Sequence, residues 1–275
     1  YDIEIDGGTI DGNRAGLGSV SAGSEMQTCT TMFGCVTGLR INSRIGGANF
    51  RAINHFNCAS VLLDKQWAPF DCFVAAQWEG GGSNIVVDQA VYGNASAHTA
   101  TAQKIDDYVA FSGTAAPGGG GNYDNTASPY GMTFFDGIDV RSIAPVNCLN
   151  AVKITATGAS CPFRGITRIG RVYARTLDNL PLITQSAVVT LFDDGPGLVA
   201  TAIDVLQIDG PITWTGPANS AGLLNVSGAG TANIIRARNF STEPSELNTL
   251  RIANTFTVGL LDLDGGKFAA LGTNN

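Results

Sequence analysis

Apolar and polar residues alternate along this chain at the spacing of strands. Runs with strand character fall at 3–11, 37–45, 49–54, 59–64, 72–77, 84–92, 108–112, 131–143, 149–157, 165–174, 182–193, 201–215, 222–240 and 249–263. No stretch keeps a helical period for more than two turns. Clusters of Gly, Asn, Asp and Pro separate the runs, and those residues form turns. The runs recur roughly every 20–28 residues, with a Gly or Asn corner between strands, as a stacked solenoid requires. A sandwich would carry hairpin signals such as Asn-Gly between paired runs, and these are rare here. A propeller would repeat a blade signature of about 40 residues, and none is present. The pattern predicts an all-β chain, a right-handed single-stranded parallel β-helix (solenoid), formed as one domain over 1–275.

Composition narrows the picture. Only 14% of the 275 residues are charged, 44% are hydrophobic and 35 are glycine. That excludes disorder and coiled coils. No apolar run approaches the length of a membrane helix. A net charge of −7 argues against nucleic acid as a partner. The charge is uneven, because residues 140–177 hold no acid and the bases Arg141, Lys153, Arg164, Arg168, Arg171 and Arg175. Such a stretch is either a solvated face or a patch for an anionic partner such as an acidic polysaccharide. The chain opens on Tyr1 and reads at once as strand, which we take as the start of a piece cut from a longer protein.

Cys29, Cys35, Cys58, Cys72, Cys148 and Cys161 include no CxxC pair, which disfavours structural zinc. We expect reduced core thiols slightly ahead of disulfides, with Cys29–Cys35 the pair most suited to a bridge. His55, within AINHFN, reads as a core histidine. No metal or cofactor motif is expected.

Three segments carry a family resemblance. DIEIDGGTIDGNRAG, from Asp2, resembles the entry coils of the pectin-lyase-like superfamily of β-helices. KIDDYVAFSG, at 104–113, resembles that superfamily's paired-Asp coil. The long loop and strand at 119–142 resemble the coil that follows. These segments cover about the first 145 residues, and 146–275 matches in architecture only. Within the superfamily the chain looks most like a phage tailspike or capsule depolymerase. The resemblance implies a homotrimer on the virion tail, outside the cell, acting on a bacterial capsule or O-antigen polysaccharide. The Gly-His-Gly and Arg-x-Lys of polygalacturonases do not follow the Asp pair, which puts pectin chemistry in doubt.

Glycoside hydrolysis needs two carboxyl groups, about 5 Å apart for retention and about 6.5–9.5 Å for inversion. The candidates are Asp106 or Asp107 paired with Glu79 or Asp136. Each of these acids also has an ordinary reading as a turn former. Trp78, Tyr108 and Tyr123 would be sugar subsites if exposed, and core if buried. Arg168 and Arg171 would hold an acidic sugar. Three functions stay open: an endo-glycosidase, a polysaccharide lyase using the arginines, and a non-enzymatic receptor-binding or structural spike.

Overall fold

A computed structural model describes residues 3–12, 28–33, 38–48, 51–72, 74–91, 105–114, 134–146, 148–157, 161–175, 186–193, 201–215, 221–239, 250–252 and 255–264. Seventeen strands follow in order: β1 (Ile3–Asp11), β2 (Thr30–Phe33), β3 (Leu39–Gly46), β4 (Arg51–Leu63), β5 (Ala68–Phe70), β6 (Val74–Asp88), β7 (Ile105–Thr114), β8 (Phe135–Ile143), β9 (Cys148–Thr157), β10 (Phe163–Arg175), β11 (Ser186–Asp193), β12 (Thr201–Ile208), β13 (Ile212–Thr215), β14 (Ala221–Val226), β15 (Gly230–Arg238), β16 (Leu250–Ile252) and β17 (Phe256–Asp264). The all-β expectation holds. Among the described residues no helix is long and apolar enough to cross a membrane.

Every strand pairing is parallel, and the pairings form two ladders. The first runs β2, the front of β4, the front of β6, β7, β9, β11, β14, β16. The second runs β1, β3, the back of β4, the back of β6, β8, β10, β12, β15, β17. Short β5 and β13 extend the second ladder beside β3 and β10. The chain visits one ladder and then the other, layer after layer, and the parallel sheet is nearly closed round an axis. The spacing of the layers is less regular than the runs predicted. Leu39 pairs with Val61, but Ile85 pairs with Ile138.

The core follows from the register. On the first ladder Ile53, Ala76, Val109, Val152, Val189 and Leu224 share one position and are fully buried. On the second, Ile41, Leu63, Val87, Val140, Ile169, Ile208 and Ala237 do the same. β-Branched residues suit this stacking, since their stiff side chains pack on a pleated surface. Each large aliphatic side chain so buried contributes about 1.5–3 kcal/mol.

Two corners bend the strands. At the first, adjacent residues both enter the core: Tyr108 with Val109, Ala151 with Val152, Val188 with Val189, Leu223 with Leu224. A straight strand would send the members of such a pair to opposite faces. At the second corner the backbone turns left-handed. Ser60 (φ 55), Asn84 (φ 51), Gly137 (φ 62) and Gly165 (φ 62) occupy one register position in β4, β6, β8 and β10. A Cβ on Gly137 would also stand 3.1 Å from the Asn84 side-chain oxygen. Gly137→Ala is therefore expected to lower stability by about 1–2 kcal/mol. It would read out as an earlier urea midpoint with an unchanged slope. An unmoved midpoint would mean that the corner is not held in this conformation.

Candidate functional site

The basic stretch folds onto one strand and one face. Along β10 the exposed residues include Arg164, Arg168, Arg171, Tyr173 and Arg175, while Thr167, Ile169, Val172 and Ala174 point into the core. Not all of this positive charge is available. Arg168 Nε donates to Asp209 at 2.8 Å, and its guanidinium lies 3.7 Å from Asp139. Arg141 donates to the same Asp139 at 2.7 Å. The Arg164 guanidinium lies 4.1 Å from the centre of the Phe134 ring. Arg171 and Arg175 have no ion pair among the described residues, so the surplus charge sits at the far end of the strand.

A cleft of about 240 Å³ opens there, lined by Lys65, Gln89, Ala90, Ser142, Ala144, Arg171 and Tyr173. Ser142 and Arg171 are register partners on β8 and β10. Lys65 lies in the turn after β4, with its ammonium 2.6 Å from Asp88. The floor is rigid. Gln89 is buried and donates to the Trp67 carbonyl (2.9 Å) and the Tyr108 hydroxyl (2.7 Å), while it accepts from the Ala144 amide (2.9 Å). One side chain thus ties four segments together. Its bonding capacity is used up, so it shapes the cleft rather than binding in it.

The candidate carboxylates lie elsewhere. Glu79 and Asp107 are both nearly buried on the polar side of the first ladder. Glu79 accepts from Arg51 at 2.6 Å, and Arg51 also donates to Gln77, which donates to Ser112. Asp107 accepts from Asn150 at 2.8 Å and Lys153 at 3.1 Å, and Asn150 accepts from Thr190. Asp107 faces Val74, five residues before Glu79, which is about 16 Å measured along the strand. The structure therefore does not bring Glu79 and Asp107 to the spacing of a hydrolytic pair. Asp136 is exposed on the second ladder, in register with Ser83 and Arg164. The Asp106 side chain and all of Tyr123 lie outside the described residues.

Two of the aromatic candidates are corrected. Trp78 and Tyr108 are both 0% exposed, so no sugar can stack on them. Trp78 lies between His55 (4.8 Å) and Phe111 (5.2 Å), and the aromatic column continues through Phe135 to Phe163. Tyr108 packs on Trp67 and anchors Gln89. The reason is the first corner, which turns residue 108 inward as well as 109. Lys65, Gln89 and Tyr173 escaped the sequence reading. The Arg-Val-Tyr-Ala-Arg alternation at 171–175 is the signal that could have put Tyr173 on the arginine face, but nothing local marks the turn that supplies Lys65.

His55 is the core residue expected. Burial pushes its pKa down to about 3 from 6.5, against partial support from the Gln77 backbone. The unfolded chain takes up this proton below about pH 6.5, while the folded chain does so only below about 3. Stability therefore falls as pH falls through that window. At pH 5 the loss from this one group is about 2 kcal/mol. His55→Phe should remove that part of the pH dependence between 6.5 and 5, as read by urea titrations at each pH. An identical slope in the variant would show that His55 is accessible to protons in the folded chain.

Cys29, Cys58, Cys72, Cys148 and Cys161 are free thiols, as expected of core cysteines. The Cys29 thiol points at the Ile10 carbonyl, and Cys35, the partner named for it, lies outside the described residues. Burial pushes the Cys148 thiol well above its ordinary range and Cys161 up to about 12. Such thiols are poor nucleophiles. Among the described residues no three His, Cys, Asp or Glu side chains gather to hold a metal ion. No family model, curated protein or solved structure matches the chain.

Proposed function

We propose that the chain is a right-handed parallel β-helix of the tailspike type, a homotrimer carried on a virion, that binds and depolymerises an acidic bacterial surface polysaccharide. The observation that carries this reading is the exposed row Arg168, Arg171, Tyr173 and Arg175 on β10, beside the cleft. Arginine guanidinium groups match carboxylates bidentately, and an exposed tyrosine ring offers a surface to the CH face of a sugar. The parallel ladders support it as well, because they hold that row on a rigid scaffold.

Hydrolysis requires an acid and a base at the cleavage point. Glu79 and Asp107 are committed to ion pairs far apart, so a hydrolase would draw on Asp106, Asp136 or other acids. A second reading, β-elimination beside a uronate, is favoured by one observation: cations, not carboxylates, dominate the cleft wall. Elimination needs such cations to neutralise the uronate carboxylate while a base removes the neighbouring proton.

The test is incubation with a panel of capsules, O-chains, pectate and alginate, followed by sizing and ultraviolet spectroscopy. Shortened chains support depolymerisation. New absorbance from unsaturated ends selects elimination, and its absence selects hydrolysis. Binding without shortening leaves a receptor-binding spike. A panel that neither binds nor shortens overturns the reading.

A further inference from the structure

We propose that the cleft beside β10 is the seat of a single carboxylate-bearing sugar residue, clamped by Arg171, with Lys65, still paired to Asp88, as a second cation on its wall. This rests on the glycan-binding reading above and names where the acidic group goes.

The argument begins with charge. Lys65 and Arg171 line the cleft, and Asp88 lies 2.6 Å from the Lys65 ammonium. Two cations and one carboxylate leave a single positive charge, which suits a monoanionic carboxylate better than a dianionic phosphate ester. The nearby Arg141 is held by Asp139 and adds little. Arg171 has no competing ion pair among the described residues. The Asp88–Lys65 pair stays intact, so the net charge that meets the ligand is that of Arg171. Asp88 keeps its hold on Lys65, since its other oxygen is buried without a hydrogen-bond partner among the described residues.

Size and shape agree. A volume of about 240 Å³ corresponds to about eight waters at liquid density, which is below the range of drug-sized pockets and right for one sugar ring. The cleft is partly open to solvent, so a sugar unit can reach it from outside. Tyr173, 36% exposed, forms one wall and presents ring surface to a pyranose. The floor does not yield, because Gln89 is bonded on all sides.

The test is calorimetric titration of the full chain with trigalacturonate and trimannuronate, with their carboxyl-reduced neutral counterparts, and with inorganic phosphate as a plain anion. The variants are Arg171→Gln and Tyr173→Ala, with Arg251→Gln as an exposed-arginine control. One acidic trimer should bind about tenfold or more tighter than its reduced form. Arg171→Gln should remove that preference, Tyr173→Ala should weaken both forms, and Arg251→Gln should change nothing. Equal binding of acidic and reduced trimers, or an Arg171→Gln chain that keeps the preference, overturns the proposal. So does phosphate that competes as well as the trimer, which would make the cleft an ordinary anion site. If the acidic trimers fail while a neutral glycan binds, the cleft proposal falls and the glycan reading stands. If no glycan binds at all, both fall.

Discussion

Trp78→Ala is expected to lower the unfolding free energy by about 3–5 kcal/mol. The ring is fully buried and stacks on His55 in the layer below and Phe111 in the layer above. Truncation removes two aromatic contacts and leaves a void that the ladders are too regular to close. Trp78→Phe separates the causes. It keeps the stacked ring and deletes an indole N–H that is buried without an acceptor among the described residues. Its cost should stay below about 1.5 kcal/mol. Urea unfolding of both variants gives the comparison. A loss under about 1 kcal/mol for Trp78→Ala would mean that the indole is not core, and would return it to the list of sugar-stacking candidates.

The second large effect is at Glu79. Glu79→Gln takes away the carboxylate 2.6 Å from a guanidinium that is itself buried. Breaking a buried pair from one side costs about 3–5 kcal/mol, mostly from the charge left behind. Arg51→Met should cost a similar amount alone. The double variant should lose less than the sum of the two, because neither charge is then stranded. Strict additivity would show that the two side chains do not act as a pair. The consequence for activity assays is direct. A Glu79→Gln chain that loses activity while partly unfolded says nothing about catalysis, so the double variant is the proper control.

Much of the fold was legible because strand periodicity is local. The run 3–11 coincides with β1, and Gly137 and Asn84 stand at left-handed positions of the kind such residues serve. What was not legible depends on partners far away in sequence. The runs 49–54 and 59–64 are joined in one strand, β4 (Arg51–Leu63), whose pairing with β6 carries on across a register shift between Phe56 and Cys58. The two-residue parity rule sends Asp107 and Val109 to one face, yet the corner at Tyr108 places Asp107 with Lys153 and Val109 in the core. The same corner hid the fate of Tyr108. For the site, the basic run foretold an arginine face, but the cleft needs Lys65 and Ser142 from other layers, and their meeting with Arg171 is a fact of register.

The uneven spacing of the layers has a consequence for how such a chain can change. One step of the second ladder, Leu39 to Val61, spans 22 residues, while another, Ile85 to Ile138, spans 53, and the buried column through Leu63, Val87 and Val140 runs through both. Closing a connection twice as long costs only about 0.6 kcal/mol in chain entropy. The scaffold therefore tolerates grafted sequence between layers at small thermodynamic cost. A lineage built on it can exchange whole surface segments while the buried columns stay as they were.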